Sequence, residues 1–380
     1  MKSPQRARLL APTPAGIEEA ARVLVSGGLC AFPTETVYGL GADALNESAV
    51  LQIFRTKRRP LSDPLIVHVA SADAALELVD LPENSEGRRV FSELTSRFWP
   101  GPLTLVAPAK AHLPKCLSAG TATVGVRCPA HPLALALLRE ADVPVAAPSA
   151  NLFGHVSPTS SAHVLDDLGD QPIAVLDGDL AACEHGIEST VCKIEGGRLL
   201  VYRRGAVTRE DLEGIPGVTS VVVIDKFSSS SSSSSSSQSA ATPVVGEVAP
   251  GQLLTHYAPR LPAFLTTLSG DPPQDDDDDD DLAATVVIDF GRRLAPLERR
   301  ALAYRDLSED ADAKVAANTL FDALRWAEAV PDAARVLIAD LSEDRADAGL
   351  VAGVADRVYR AASGKKLVLK PPPPPPPPAS

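Results

Sequence analysis

Residues 33–68 read PTETVYGLGADALNESAVLQIFRTKRRPLSDPLIVH, and the reading of this stretch decides the fold. Just before it, Leu29 to Phe32 is a short apolar run that reads as a strand, and Pro33 ends its ladder because proline has no N–H to donate. A loop is expected next. In it Gly39 and Gly41 permit positive φ or a close backbone approach, and Thr34 and Thr36 supply hydroxyls. Asn46 or Ser48 can cap a helix whose apolar positions Val50, Leu51, Ile53 and Phe54 face a core, and Pro60 is expected to stop it. That helix delivers Arg55, Lys57, Arg58 and Arg59, a cluster that is either solvated surface or a counter-charge to phosphate. Leu65 to Val69 is the next strand. A strand–loop–helix–loop–strand passage with these contents suits a phosphorylated ligand.

Working outward, Thr13-Pro14 opens a helix, GIEEAARVLVS, that ends at Gly27-Gly28. Downstream, Ala72 to Leu78 and Arg88 to Phe98 read as helices, and Trp99-Pro-Gly-Pro102 is a rigid turn into the strand Leu103 to Ala107. Thr123 to Arg127 is a strand followed by the helix Leu133 to Glu140. Arg127, at that strand's end, suits either a structural carboxylate or a ligand. Val143 to Ala147 is a strand opening into PSANLFGHVSPTS, where Ser149, Asn151 and Ser157 lie at the carboxyl end of a strand, the usual ligand side of α/β folds. Such a loop is also a good turn, and Pro158-Thr159 a good start for the helix SAHVLDDLG. His68 fits a buried structural role or a substrate contact. Ile173 to Leu176, Leu199 to Tyr202 and Val221 to Ile224 complete the strands of the first half.

Composition bounds the rest. At 380 residues and 45% apolar content the chain is long enough for two domains. Its N-terminus lacks a secretory apolar region and no apolar run is long enough to span a bilayer, which points to the cytoplasm. Five cysteines without C-x-x-C spacing argue against a disulfide framework and against a zinc site. The net charge of −13 is unevenly spread: residues 1–210 hold 20 basic against 23 acidic side chains, and residues 211–380 hold 16 against 26. No broad basic face is available, so strong direct nucleic-acid binding is not expected. Ser228 to Ser237 reads as a flexible tether, Asp275 to Asp281 as a solvated loop, and Pro371 to Pro378 as a polyproline II tail. From Leu261 on, strands at Ala263 to Thr267, Thr285 to Phe290 and Arg335 to Ala339 alternate with helices at Ala311 to Ala329 and Gly349 to Ala362, predicting a small α/β domain with a parallel sheet.

Several separated motifs occur together: PTETVYGLGADA, K-x-R-P at Lys57 to Pro60, D-P-L-I-V-H at Asp63 to His68, V-G-V-R-x-P ending at Pro129, S-A-N and S-P-T at 149–151 and 157–159, and G-x-E-S-T-V at 186–191. In this order they resemble the YrdC-like domain of L-threonylcarbamoyladenylate synthases. Arg203-Arg204-Gly205 stands where that family shows R-P-G. APGQLLTHYAP at 249–259 resembles its inter-domain motif, with Leu254 in place of a tyrosine.

The resemblance implies an α/β fold: a YrdC-like twisted mixed sheet with a large concave cavity, then a smaller Rossmann-like α/β domain. The implied domains are 1–215 (catalytic), 216–260 (linker carrying His256, Tyr257, Ala258 and Pro259), 261–364 (C-terminal domain) and 365–380 (disordered tail). It implies a nucleotidyltransferase that makes threonylcarbamoyl-AMP and pyrophosphate from L-threonine, bicarbonate or CO2 and ATP, carrying Mg2+ with the nucleotide, for tRNA-modifying machinery downstream. Lys57 and Arg59 are the implied catalytic cations. Thr36, His68, Arg127, Ala147 and Ser189 are the implied threonine contacts. Arg59, Asp63, Thr123, Ser149, Ser157, Arg203 and Tyr257 are the implied ATP contacts, with Asp63, where the family often has asparagine, expected to bind Mg2+. A catalytically weak nucleotide- or RNA-binding protein of the same fold is the alternative reading.

Overall fold

The computed structural model describes residues 6–178, 183–224, 249, 254–269, 282–344 and 349–371. The Ser228 to Ser237 tract, the Asp275 to Asp281 run and Pro372 to Pro378 lie outside the described residues. The chain divides into two compact units, the first mainly residues 6–153 and 157–224, the second mainly 254–344 and 351–371 together with 154–156.

The first unit opens with β1 (Arg8–Leu10), α1 (Pro14–Val25), β2 (Cys30–Phe32), β3 (Gly39–Asp43), α2 (Glu47–Lys57) and β4 (Ile66–His68). It continues through α3 (Ala72–Leu76), α4 (Glu86–Phe98), β5 (Leu103–Pro108), β6 (Thr123–Arg127), α5 (Pro132–Ala141) and β7 (Val145–Ala146). It closes with α6 (Ser161–Leu168), β8 (Ala174–Leu176), β9 (Thr190–Glu195), β10 (Arg198–Arg203), α7 (Arg209–Glu213) and β11 (Ser220–Val223). The strands form one mixed sheet in the order β1-β8-β2-β3-β7-β4-β6-β5-β9-β10-β11.

Side chains alternate across this sheet with period two. Leu40, Ala42, Val67, Leu105, Val124, Val126 and Ala146 point to one face and pack on Val50, Ile53 and Phe54 of α2 and Val90, Phe91 and Leu94 of α4. Fully burying such a side chain contributes about 1.5–3 kcal/mol, so this layer sets the register of the strands. Their sequence neighbours face the other way. Over β1, β8, β2 and β7 that second face is covered by α1 and α5, through Leu24, Leu137 and Leu138 against Cys30, Phe32, Val145 and Leu176. Over β4, β5 and β9 the described residues place a small apolar cluster on it, Ile66, Val106, Val191 and Ala249, and polar side chains lie beside them.

Two local readings are corrected. Gly39-Leu-Gly41, expected as a loop, is a strand: Cys30 pairs with Gly41 and Phe32 with Gly39, antiparallel. Glycine is needed here for packing, since a Cβ on Gly41 would lie 2.8 Å from both a ring carbon of Phe32 and a methyl of Val145. Helix α2 is capped by Asn46, whose side chain accepts from Ala49 N at 3.2 Å. It ends before Pro60 acts, because Arg58 adopts the left-handed conformation at φ 55° and closes the last turn.

The second unit contains β12 (Ala263–Leu268), β13 (Thr285–Asp289), β14 (Ala303–Asp306), α8 (Ala313–Ala329), β15 (Arg335–Ala339), α9 (Leu350–Ala361) and β16 (Lys366–Leu369). Its sheet, in the order β14-β13-β15-β12-β16, is parallel throughout, as the alternation of strand and helix predicts. Strand β16 lies within residues 365–380, expected as disordered tail, where Leu265 to Leu268 pair with Lys366 to Leu369.

Candidate active site

The polar groups of this half-face include residues at strand ends that the sheet brings level. His68 and Arg127 are directly opposite each other in the parallel β4–β6 pairing. Both are buried, as are Thr34, Glu35, Thr36, Thr104 and Ser189.

Arg127 organises the group. Its Nε donates to Gly101 O at 3.2 Å, its Nη1 donates to Thr36 Oγ1 at 3.0 Å, and its Nη2 forms an ion pair with Glu35 Oε1 at 2.7 Å. The Thr34 hydroxyl donates to Val37 O at 2.6 Å, so in its 2.8 Å contact with Thr36 it must accept. Thr36 therefore donates to Thr34, receives Arg127, and keeps one lone pair. Burial pushes the Glu35 carboxyl up, but the Arg127 charge and hydrogen bonds outweigh it and hold it below the usual range. Burial, helped by Arg127, pushes His68 down to about 3. His68 is thus a neutral imidazole at physiological pH, edge-on to Phe32 with centroids 6.1 Å apart. Ala147 follows β7 and donates its N–H to Ile66 O at 2.9 Å, two residues before His68 in β4.

Ser189 connects this group to a second cation. Its hydroxyl contacts Thr104 Oγ1 at 2.8 Å and accepts from Arg203 Nη2 at 3.1 Å, while Arg203 Nε donates to Ser189 O at 3.0 Å. Gly205 makes this possible: a Cβ there would sit 2.4 Å from Thr190 N. The backbone after Arg203 therefore lies directly on the 188–190 segment, despite Arg204 in place of proline. Ser157 Oγ donates to Glu188 Oε1 at 2.6 Å.

Lys57 and Arg59 are placed differently. Of the four cations in the 55–59 run, Arg55 and Arg58 are exposed, while Lys57 and Arg59 are buried. The run is therefore not a single basic patch. Lys57 Nζ donates to Ser149 O at 2.5 Å and to Asn151 O, tying α2 to the loop after β7. Burial, with Arg59 nearby, holds its pKa well below the usual lysine range. Arg59 pairs with Asp63 Oδ1 at 3.0 Å, donates to Asp63 O at 3.1 Å and Pro64 O at 2.8 Å, and lies over the Phe153 ring at 5.9 Å. The Mg2+ role expected for Asp63 meets a carboxylate already in a buried ion pair. Thr123, half-buried at the start of β6, hydrogen-bonds Thr121 at 2.9 Å, away from the Arg127 end of the same strand. Tyr257 belongs to the second unit, where it is buried at φ 61° against Phe321, with Arg357 over its ring at 5.7 Å.

Within this polar group, Glu35, Thr104 and Glu188 are buried residues that had no role assigned from sequence. Glu35 was visible as an acid between two threonines. Thr104 was recoverable from strand alternation, since it is two residues before Val106 on the same face. Glu188 had no such signal beyond its place in the motif.

The chain matches two family models, one described as telomere recombination over residues 22–205 and one as threonylcarbamoyl-AMP synthase, C-terminal domain, over residues 207–363. It is 35% identical over 358 residues to a threonylcarbamoyl-AMP synthase of Bacillus subtilis, covering 92% of this chain and 93% of that one. To a threonylcarbamoyl-AMP synthase of Pyrococcus abyssi it is 44% identical over 202 residues, covering 53% of this chain and 57% of that one. The crystal structure of P. abyssi Sua5 complexed with L-threonine superposes with a TM-score of 0.77 at 31% identity, covering 96% of this chain and 99% of that one. Matched along nearly its whole length in sequence and in fold, the chain belongs to the threonylcarbamoyl-AMP synthase family, a family of enzymes.

Proposed function

We propose that this protein joins L-threonine, bicarbonate or CO2 and ATP into threonylcarbamoyl-AMP and pyrophosphate, for threonylcarbamoyladenosine modification of tRNA. The observation that carries the reading is the convergence of Arg127, Thr36, His68 and Ser189 on one half-face of the sheet, with Arg203 bonded to Ser189. Arg127 takes the amino-acid carboxylate, matching it with a guanidinium fork. Thr36 and Ser189 orient the hydroxyl and amine, and neutral His68 accepts or donates one hydrogen bond without adding charge. Arg203, bonded to Ser189, is the residue this reading assigns to stabilise the α-phosphate as pyrophosphate leaves. No covalent enzyme intermediate is needed, because positioning makes the encounter effectively unimolecular.

Lys57 and Arg59 support the nucleotide loop: Lys57 holds the Ser149 and Asn151 carbonyls, and Arg59 fixes the 63–64 backbone. Ser149 and Ser157 then face the nucleotide. Among the described residues no three His, Cys, Asp or Glu side chains converge on a metal position; in this reading Mg2+ arrives with the nucleotide, held by the triphosphate and water. Incubating the full chain with ATP, magnesium, bicarbonate and each amino acid, and following pyrophosphate and the adenylate by mass spectrometry, tests the reaction. Threonine-dependent product of the expected mass is the expected outcome. Binding of ATP or RNA with no adenylate formed would replace the reading with a binding function.

A further inference from the structure

The Glu35–Arg127 pair stands apart from the other ion pairs of the first unit. Both partners are at most 5% exposed, and they sit on the half-face that carries the candidate amino-acid contacts. Burying two charges costs several kcal/mol per ion before their attraction offsets it. Arg59–Asp63 is similarly buried, but Arg59 also donates to two backbone carbonyls of its own loop. Arg127 instead joins parts of the chain far apart in sequence, and only its Nε meets a backbone carbonyl. Its two terminal nitrogens meet a hydroxyl and a carboxylate, both of which can exchange for ligand atoms.

We propose that Glu35 binds the α-ammonium of the amino-acid substrate, so that Glu35 and Arg127 together are a receptor for a zwitterion. This rests on the function proposed above. A guanidinium has five N–H donors; the hydrogen bonds to Gly101 and Thr36 take two of them, and Glu35 lies 2.7 Å from Nη2 as an ion pair. An incoming carboxylate can therefore engage Arg127 as its link to Glu35 loosens, and the ammonium of the same molecule replaces the charge that Glu35 gives up. A zwitterion leaves both buried charges paired. A 2-hydroxy acid of the same shape brings only the anion and leaves the Glu35 carboxylate without a counter-charge, so the site selects for the amine that must later carry the carbamoyl group.

The test is calorimetric titration of the full chain with L-threonine and with (2S,3R)-2,3-dihydroxybutyrate, which replaces the amine by a hydroxyl. The wild-type protein and the Glu35→Gln and Glu35→Asp variants are compared, with ATP affinity and thermal midpoint measured on each. Wild type should prefer threonine by about tenfold or more. Glu35→Gln should lose most of that preference, through weaker threonine binding and equal or tighter binding of the hydroxy acid, with ATP affinity changed less than about twofold; Glu35→Asp should recover part of it. Equal wild-type affinity for the two ligands, or no threonine binding, would overturn the proposal whether or not a variant folds. So would a Glu35→Gln protein that weakens for both ligands alike. Threonine binding with the predicted selectivity but without adenylate formation would keep the receptor and remove the proposed reaction.

Discussion

Two buried basic groups of the first unit use their charge in opposite ways. Lys57 and Arg59 are directed mainly at backbone carbonyls of Ser149, Asn151, Asp63 and Pro64, acceptors that neither ionise nor leave, with Arg59 also paired to the Asp63 carboxylate of its own loop. Arg127 is directed mainly at the side chains of Thr36 and Glu35. A cation held by main chain braces a loop, whereas a cation held by side chains is ready to exchange partners. The motif residues of one site thus divide into supports and contacts, although in sequence all three are simply basic residues in or beside a motif.

The sharpest way to break this contrast is Arg127→Met. It leaves Glu35 buried without its counter-charge, and the expected cost is about 3–5 kcal/mol in denaturant unfolding, together with loss of threonine binding. A stable variant that still binds threonine would make Arg127 a support like the others.

Lys57→Met should cost about 1–3 kcal/mol by orphaning the two carbonyls. It should also raise the KM for ATP in step with faster proteolysis of the 149–153 loop. A variant with unchanged stability and loop protection but reduced kcat would move Lys57 from support to phosphate contact.

His68 sharpens the comparison through pH. Its folded pKa is depressed to about 3, so between there and the unfolded value near 6.5 the unfolded chain binds the extra proton. The stability His68 contributes is therefore complete above about pH 6.5 and falls as pH drops, by about 1.4 kcal/mol per unit. Between pH 7.5 and 5.5, on either side of the unfolded value, wild type should lose about 1.4 kcal/mol more unfolding free energy than His68→Gln; equal losses would place the acid sensitivity elsewhere.

The smallest effect is expected for Asp63→Asn. The amide keeps an acceptor for Arg59, whose bonds to the Asp63 and Pro64 carbonyls remain, so the loss should be about 1 kcal/mol. The magnesium dependence of pyrophosphate release should not move. A shift in that dependence would return Asp63 to the metal.

The elements that sequence exposed are those with strong local signals. The cap at Asn46, the apolar spacing of α2, the alternation of strand and helix in the second unit and the motif order are all set by neighbours within a few residues. Missed were β1, β14 and β16, short strands of partial burial at sheet edges, and β9, an interior strand whose residues were read only as the end of the 186–191 motif. Gly39 and Gly41 were misread because glycine ordinarily marks loops, and only Phe32 and Val145 packed above Gly41 show why a strand needs it there.

Sequence by itself determined the family pattern, the α/β class and the chemical kinds of residue available to the site, because hydrophobic periodicity and motif composition are local properties. Tertiary structure alone decided which charge meets which. Arg127 and Thr36 are 91 residues apart in sequence, and the choice of Glu35 for Arg127 and of backbone carbonyls for Lys57 depends on strand order and burial. Desolvation then makes each pairing obligatory, since a charge removed from water must find its partner inside the fold.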